Sequence, residues 1–281
     1  MKSFDRSGED VGNVLSLEHV NLIVPDQQLA ALFYVSGLGF TRDPYLDFGT
    51  RNMWINAGEQ QFHLPRGDAQ VFRGHIAVVV PDLDGLEQRL GAIAKPLAGS
   101  RFEFHRDGDQ VRITCPWGNA LRAFGPERFP AMSLGIPYLE VQVPGGTAPG
   151  IAAFYRQIMG CPASVTAGCA RIRVGHNQTL TFSESDRPLA AYDGHHIAVY
   201  VADFSGPHGK LLERGLITEE SDQHQYRFQA IVDPASGAVL TELEHEVRSM
   251  GHPMFHRPLV NRNPALNFFN FRKGSEVYSP T

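Results

Sequence analysis

Four segments of this chain repeat one pattern, and that repetition narrows the available folds more than any other feature. HVNLIVPD begins at His19, HIAVVVPD at His75, YLEVQVPG at Tyr138 and HIAVYVAD at His196. Each is a short apolar run closed by turn-forming residues, the signature of a buried strand entering a loop. His19 and Tyr138 stand 119 residues apart (138 − 19), and His75 and His196 stand 121 apart (196 − 75). The glycines of WGNALRA and SGAVLTE, Gly118 and Gly237, are again 119 apart (237 − 118). Offsets that agree this closely mark a duplication in which each half is itself a pair of units.

Each unit adds a helix and further strands to its opening strand. Apolar residues at helical spacing predict helices over Gln27 to Leu38, Asp82 to Ile93, Pro149 to Met159 and Gly206 to Leu216. Strands are expected in the first half around Tyr45 to Phe48, Asn52 to Ile55, Gln60 to Leu64, Phe102 to Phe104, Val111 to Cys115 and Ala120 to Phe124. In the second they fall near Ala170 to Val174, Thr179 to Phe182, Tyr226 to Val232 and Val239 to His245. The fold class is therefore α+β, with paired βαβββ units in two tandem domains over residues 15–126 and 134–246. Gly125 to Gly135 reads as the linker between them. Residues 247–281 carry Pro253, Pro258, Pro264 and Pro280 together with Phe255, Phe268, Phe269 and Phe271. The prolines disfavour a regular element and the aromatics disfavour disorder, so an extended arm is expected. It should bury Phe255 and several of Phe268 to Phe271, against the domains or a second subunit, the latter giving a homodimer.

Composition excludes several classes of function. A net charge of −5 argues against a nucleic-acid partner, and no apolar run is long enough for a membrane-spanning helix. The polar stretch Met1 to Asn13 lacks a signal-peptide core and reads as a loose leader. Cys115, Cys161 and Cys169 have no metal-type spacing; as reduced thiols they fit a cytoplasmic location.

The segments LEHVNLIVPD, FYVSGLGF, QQFHLP, GHIAVVVPDL, CPWGNALRAFGP, FYRQIMG, GHHIAVYVAD and DPASGAVLTELEHE together resemble the vicinal oxygen chelate superfamily. That group includes glyoxalase I, bleomycin-resistance proteins and extradiol dioxygenases, and the resemblance spans about Leu17 to Glu246. It implies clefts formed by glyoxalase-like units, with a divalent metal held by the first and last strands of each unit. Carried over residue by residue, the first half offers His19, His63 and His75, with Arg122 at the fourth position. Three imidazoles can hold an ion, but a guanidinium has no acceptor and cannot ligate. Arg122 is instead suited to gripping a substrate carboxylate.

The second half has Tyr138 at the first position, Thr181 opposite His63, and His196 in place, with His195 on the opposite face. At its end, ungapped counting from Gly237 gives Thr241, and a one-residue bulge gives Glu242 with Glu244 on the same face. Glu140, two residues beyond Tyr138, is a further carboxylate. The metal set implied is His19, His63, His75, His196, Glu242 and Glu244, for Fe, Zn, Mn or Ni. Trp54, Phe62, Trp117, Tyr138 and Tyr200, with Arg122, are candidate walls for a small-molecule substrate. With three of four positions filled, the first half is the expected metal site, so His75→Ala should deplete metal more than His196→Ala. The resemblance implies a metal-dependent lyase, isomerase or ring-cleaving dioxygenase. A metal-free binding protein of the bleomycin-resistance type is the alternative, separable by metal content.

Overall fold

The computed structural model describes residues 4–49 and 51–274. Met1 to Ser3 of the expected leader and residues 275–281 of the expected arm, Pro280 included, lie outside the described residues.

The first unit comprises β1 (Val14–Asn21), α1 (Gln27–Ala31), β2 (Thr41–Asp47), β3 (Asn52–Ala57) and β4 (Gln60–Pro65). The second comprises β5 (Gly74–Val79), α2 (Leu83–Ile93), β6 (Glu103–Asp107), β7 (Gln110–Thr114) and β8 (Ala120–Phe124). The third comprises β9 (Tyr138–Pro144), α3 (Ala148–Phe154), β10 (Ala163–Thr166), β11 (Cys169–Arg173) and β12 (Thr179–Ser185). The fourth comprises β13 (His196–Val201), α4 (Ser205–Leu212), β14 (Ile217–Asp222), β15 (Gln225–Val232) and β16 (Val239–Ser249). The βαβββ order thus holds in all four units, including β10 and β14, where the sequence gives little apolar alternation because both strands are mostly exposed. The helices expected to reach Leu38 and Met159 end in wider π-type turns, Leu32–Gly37 and Tyr155–Met159. Asp26 and Asp82 cap α1 and α2 by accepting backbone N–H groups of the first turn.

The strands form two eight-stranded mixed sheets, an α+β fold of paired glyoxalase-like units. Sheet I runs β14-β15-β16-β13-β1-β4-β3-β2 and sheet II runs β10-β11-β12-β9-β5-β8-β7-β6. Sheet I therefore joins the first and fourth units, and sheet II the second and third. In every unit the opening strand lies parallel to that unit's last strand. Opening strands of partner units then meet antiparallel, β1 with β13 and β5 with β9. Gly74 permits the second junction, since a Cβ there would stand 1.7 Å from the Glu140 carbonyl oxygen.

Each half of the sequence contributes one unit to each sheet, and what holds a half together is helix packing. The Leu32–Gly37 turn lies against α2, and Gly37 has to be small because a Cβ would meet Ile93 Cδ1 at 2.4 Å. In the other half Phe154 of α3 reaches Phe228 of β15, and Tyr155 reaches His245 of β16. The inward residues of both sheets join these helices in one buried core, among them Leu17, Val20, Ile76, Leu139 and Ile197. Strand alternation then leaves the opposite face of each sheet free for chemistry.

The arm after β16 folds back over sheet I. Met254 and Phe271 are buried against Tyr45, Leu46 and Trp54. Phe255 is half-buried beside Tyr200. Burial of Phe268 and Phe269 does not occur; they are 39% and 76% exposed, turned outward while Phe271 anchors the segment. A guanidinium fixes the arm: buried Arg257 donates to Asp43 at 2.8 Å, Glu18 at 3.0 Å and Asn56 at 3.1 Å.

Candidate metal centre

His19, His63 and His196 converge on the open face of sheet I, where β4, β1 and β13 lie side by side. One ring nitrogen from each lies within 4.8 Å of the others. Phe62 and Leu64 point into the core, which turns His63 outward; Ile197 and Val199 do the same for His196. On β1 the pairing slips between Leu17 and His19, and the irregularity sets Glu18 beside His19.

Hydrogen bonding leaves the nitrogens of this cluster bare. The Glu18 carboxylate accepts from His19 Nδ1, which orients the ring and turns Nε2 toward the other two imidazoles. His19 Nε2, His196 Nε2 and both nitrogens of His63 have no hydrogen-bond partner among the described residues. A buried polar atom without a partner costs about 1–3 kcal/mol, so a group of them calls for a shared one. Trp54 holds the His63 ring, stacked at 3.7 Å between centroids, and meets His19 edge-on. Burial, then the neighbouring His19, drives His63 and His196 well below the ordinary imidazole value. Both are therefore neutral at neutral pH, the protonation state a metal ligand requires.

Glu246 supplies a carboxylate at the same cluster. Its Oε2 lies 3.7 Å from His196 Nε2, while Glu244 Oε1 lies 3.6 Å from His196 Nδ1. Burial alone would push the Glu246 carboxyl up, but Arg248, His19 and Arg227 outweigh it and hold it at about 2. The same contest, with His19 and Arg248 opposing burial, keeps Glu18 below the usual carboxylate range. Strand register shows why Glu246 belongs here. His19 and His196 are symmetric about the antiparallel pair Val20↔Ile197; His63 lies beside Asn21 and Glu246 beside Ala198. The four side chains thus occupy the first-strand and last-strand positions of two units.

The sequence-derived groupings separate accordingly. His75 lies on sheet II, 3.2 Å from the Tyr138 hydroxyl and 3.9 Å from Glu140, because its strand pairs with β9 rather than with β1. Arg122, Tyr138 and Thr181 share that second face. Glu242 lies earlier along β16 than the residues that pair with β13, and accepts from Gln229 at 2.7 Å. Glu244 lies behind His196, and Trp54 forms a wall of the cluster. Tyr200 faces the arm through His252, and Phe62 is core rather than wall. His195 is buried on the opposite side against Phe72 and Asp193. Glu246 was missed because ungapped counting fails in the last unit: β15 and β16 are longer than β7 and β8, and their pairing slips twice. The recoverable signal was the continued alternation of Glu242, Glu244 and Glu246. Glu18, Arg248 and Arg257 gave no signal, since their roles depend on contacts across more than 200 positions.

No protein-family model matches this sequence, and no curated protein is significantly similar to it. Solved structures do match the fold. Glyoxalase I from Zea mays superposes with a TM-score of 0.57 at 13% identity, covering 83% of this chain and 92% of the maize chain. A Bacillus subtilis protein named for dioxygenase activity superposes with a TM-score of 0.57 at 15% identity, covering 87% and 88% of the two chains. Identity this low leaves the chemistry to be argued from the site, while the coverage, unit order and sheet pairing show that this chain has a tandem glyoxalase-like fold.

Proposed function

We propose that the chain is a metal-dependent enzyme acting on a small molecule with adjacent oxygen atoms, its ion held by His19, His63, His196 and Glu246. The observation that carries this reading is the set of bare imidazole nitrogens converging in one buried cluster. Three imidazoles and one carboxylate suit a borderline divalent ion such as iron, zinc, manganese or nickel. When bound, such an ion acts as a Lewis acid that stabilises negative charge developing on substrate oxygens. The chain's own residues orient and close the site. Glu18 orients the His19 ring, Trp54 holds the His63 ring, and the arm covers the Tyr45 and Trp54 side. Among the described residues no helix is long and apolar enough to cross a membrane.

With His63 the set is one imidazole larger than the two-histidine, one-carboxylate triad of non-haem iron oxygenases, so ring cleavage and isomerisation both stay compatible with these ligands. A metal-free binding protein is the second reading, favoured by the salt bridges from Arg227 and Arg248 that already neutralise Glu246. Elemental analysis of protein purified without an affinity tag separates the two. About one ion per chain is expected, lost in His196→Ala and retained in His75→Ala. Protein that takes up no divalent ion, or loses it only in His75→Ala, would refute the assignment. Oxygen uptake with catechols, set against turnover of hemithioacetals, then distinguishes the reactions.

A further inference from the structure

The open face of sheet II repeats the register of the metal cluster but carries a different chemistry. With Ile76↔Leu139 in place of Val20↔Ile197, the four ligand positions become His75, Arg122, Tyr138 and Thr181. A guanidinium in that set disfavours a cation and recruits an anion. Above this face lies a cavity of about 810 Å³, lined by Arg122, Arg128, Arg171 and Arg173 against the carboxylates of Glu9 and Glu140. Arg128 is paired with Asp109, and Arg173 donates to the Asp10 carbonyl. Arg122 and Arg171 form no salt bridge with a described carboxylate, and Arg122 is half-buried, where an unmatched charge is most costly. His75 bears the mark of this field: burial, then Arg122 and Arg112, hold it down to about 4.

Arg122 stands on β8 and Arg171 on β11, with β5, β9 and β12 between them. About 19 Å of sheet therefore separates their backbones, and the two side chains reach inward from opposite sides. We propose that this cavity binds, without metal, a small organic anion with an acidic group at each end, clamped between Arg122 and Arg171. Dicarboxylates and phosphorylated acids share that chemistry, and the apolar surfaces of Phe129, Met132 and Pro137 can take the body between the charges. This site is independent of the metal on sheet I.

Calorimetric titration of the full chain with glutarate, 3-phosphoglycerate and inorganic phosphate, each with and without EDTA, tests the proposal. One or both two-ended anions should bind more tightly than inorganic phosphate, and equally well in EDTA. Arg122→Gln and Arg171→Gln should each weaken that binding by about tenfold, the loss of one charge-assisted contact, while Arg262→Gln on the exposed arm should not. Neither arginine belongs to the buried core, and an unchanged circular-dichroism spectrum and Tm check that each variant is folded. Binding abolished by EDTA, unchanged in both Gln variants, equally tight for inorganic phosphate, or absent for every probe up to about 10 mM would overturn the proposal.

Discussion

Replacing Arg257 by methionine tests how the arm is held against sheet I. The side chain is 4% exposed and contacts Glu18, 5% exposed, and Asp43, fully buried. Surface ion pairs contribute about 0–1 kcal/mol, but removing one member of a buried pair costs about 3–5 kcal/mol because the remaining charge stays desolvated. Asp43 retains backbone N–H donors from Tyr45 and Leu46 and the amide of Gln61, and Glu18 retains Arg248 and His19. The loss should therefore fall at the lower end, about 3 kcal/mol. For 281 residues, an unfolding entropy of about 2.1 cal/mol/K per residue turns that into a Tm decrease of roughly 5 °C. Differential scanning calorimetry of Arg257→Met beside Arg262→Met, an exposed arm residue, reads it directly. Limited proteolysis should also cut beyond Met250 sooner in the Arg257 variant. A Tm within 1 °C of the Arg262 control (about 0.6 kcal/mol on the same scale), with unchanged proteolysis, would refute the view that this buried network anchors the arm.

Under the proposed metal-dependent function, Glu18→Gln should weaken metal binding by about 10–100-fold, the usual cost of removing a carboxylate behind a ligating histidine; competition against a fluorescent chelator measures it. Stability should fall as pH drops through the range set by His245, whose imidazole is held down to about 4 by burial, from an ordinary 6.5. Below 6.5 the unfolded chain takes a proton that the folded chain refuses, so about 2.5 kcal/mol is lost between pH 7 and 4.5, and the loss ends below pH 4. His245→Phe orphans the Tyr155 hydroxyl, bonded at 2.7 Å in the native protein, so it should be less stable by about 1–3 kcal/mol at pH 7. It should approach wild type by pH 4.5, and parallel urea titration curves at the two pH values would contradict this. Thiol labelling at pH 8 should modify Cys169 first, because Cys115 and Cys161 are buried and burial pushes Cys161 up to about 12; a fast phase that survives Cys169→Ser would show otherwise.

Much of this architecture is local and was therefore open to reading from the chain alone. A strand followed by a helix leaves its mark in the change of apolar period from two to 3.6, and the offsets between His19, Tyr138, His75 and His196 exposed four copies of one unit. Outward placement of His19, His63 and His196 also follows locally, since alternation sends their apolar neighbours to the core. The pairing of the units is not local. Each opening strand offers the same kind of apolar edge, so the sequence alone does not distinguish which two meet. Helix packing, as between Gly37 and Ile93, holds the consecutive units of a half together, while the strands pair across the halves. That choice separated His75 from His19 and brought His196 to it. Register decided the rest. A strand's side chains alternate with a period of two, so Glu242, Glu244 and Glu246 share a face, and the β13–β16 register that sets Ala198 beside Glu246 decides which of them reaches the histidines. The sequence by itself determined the repeating unit and the strands that carry the histidines; the tertiary structure alone decided which of those strands lie side by side, because hydrogen bonding between strand edges does not depend on their separation along the chain.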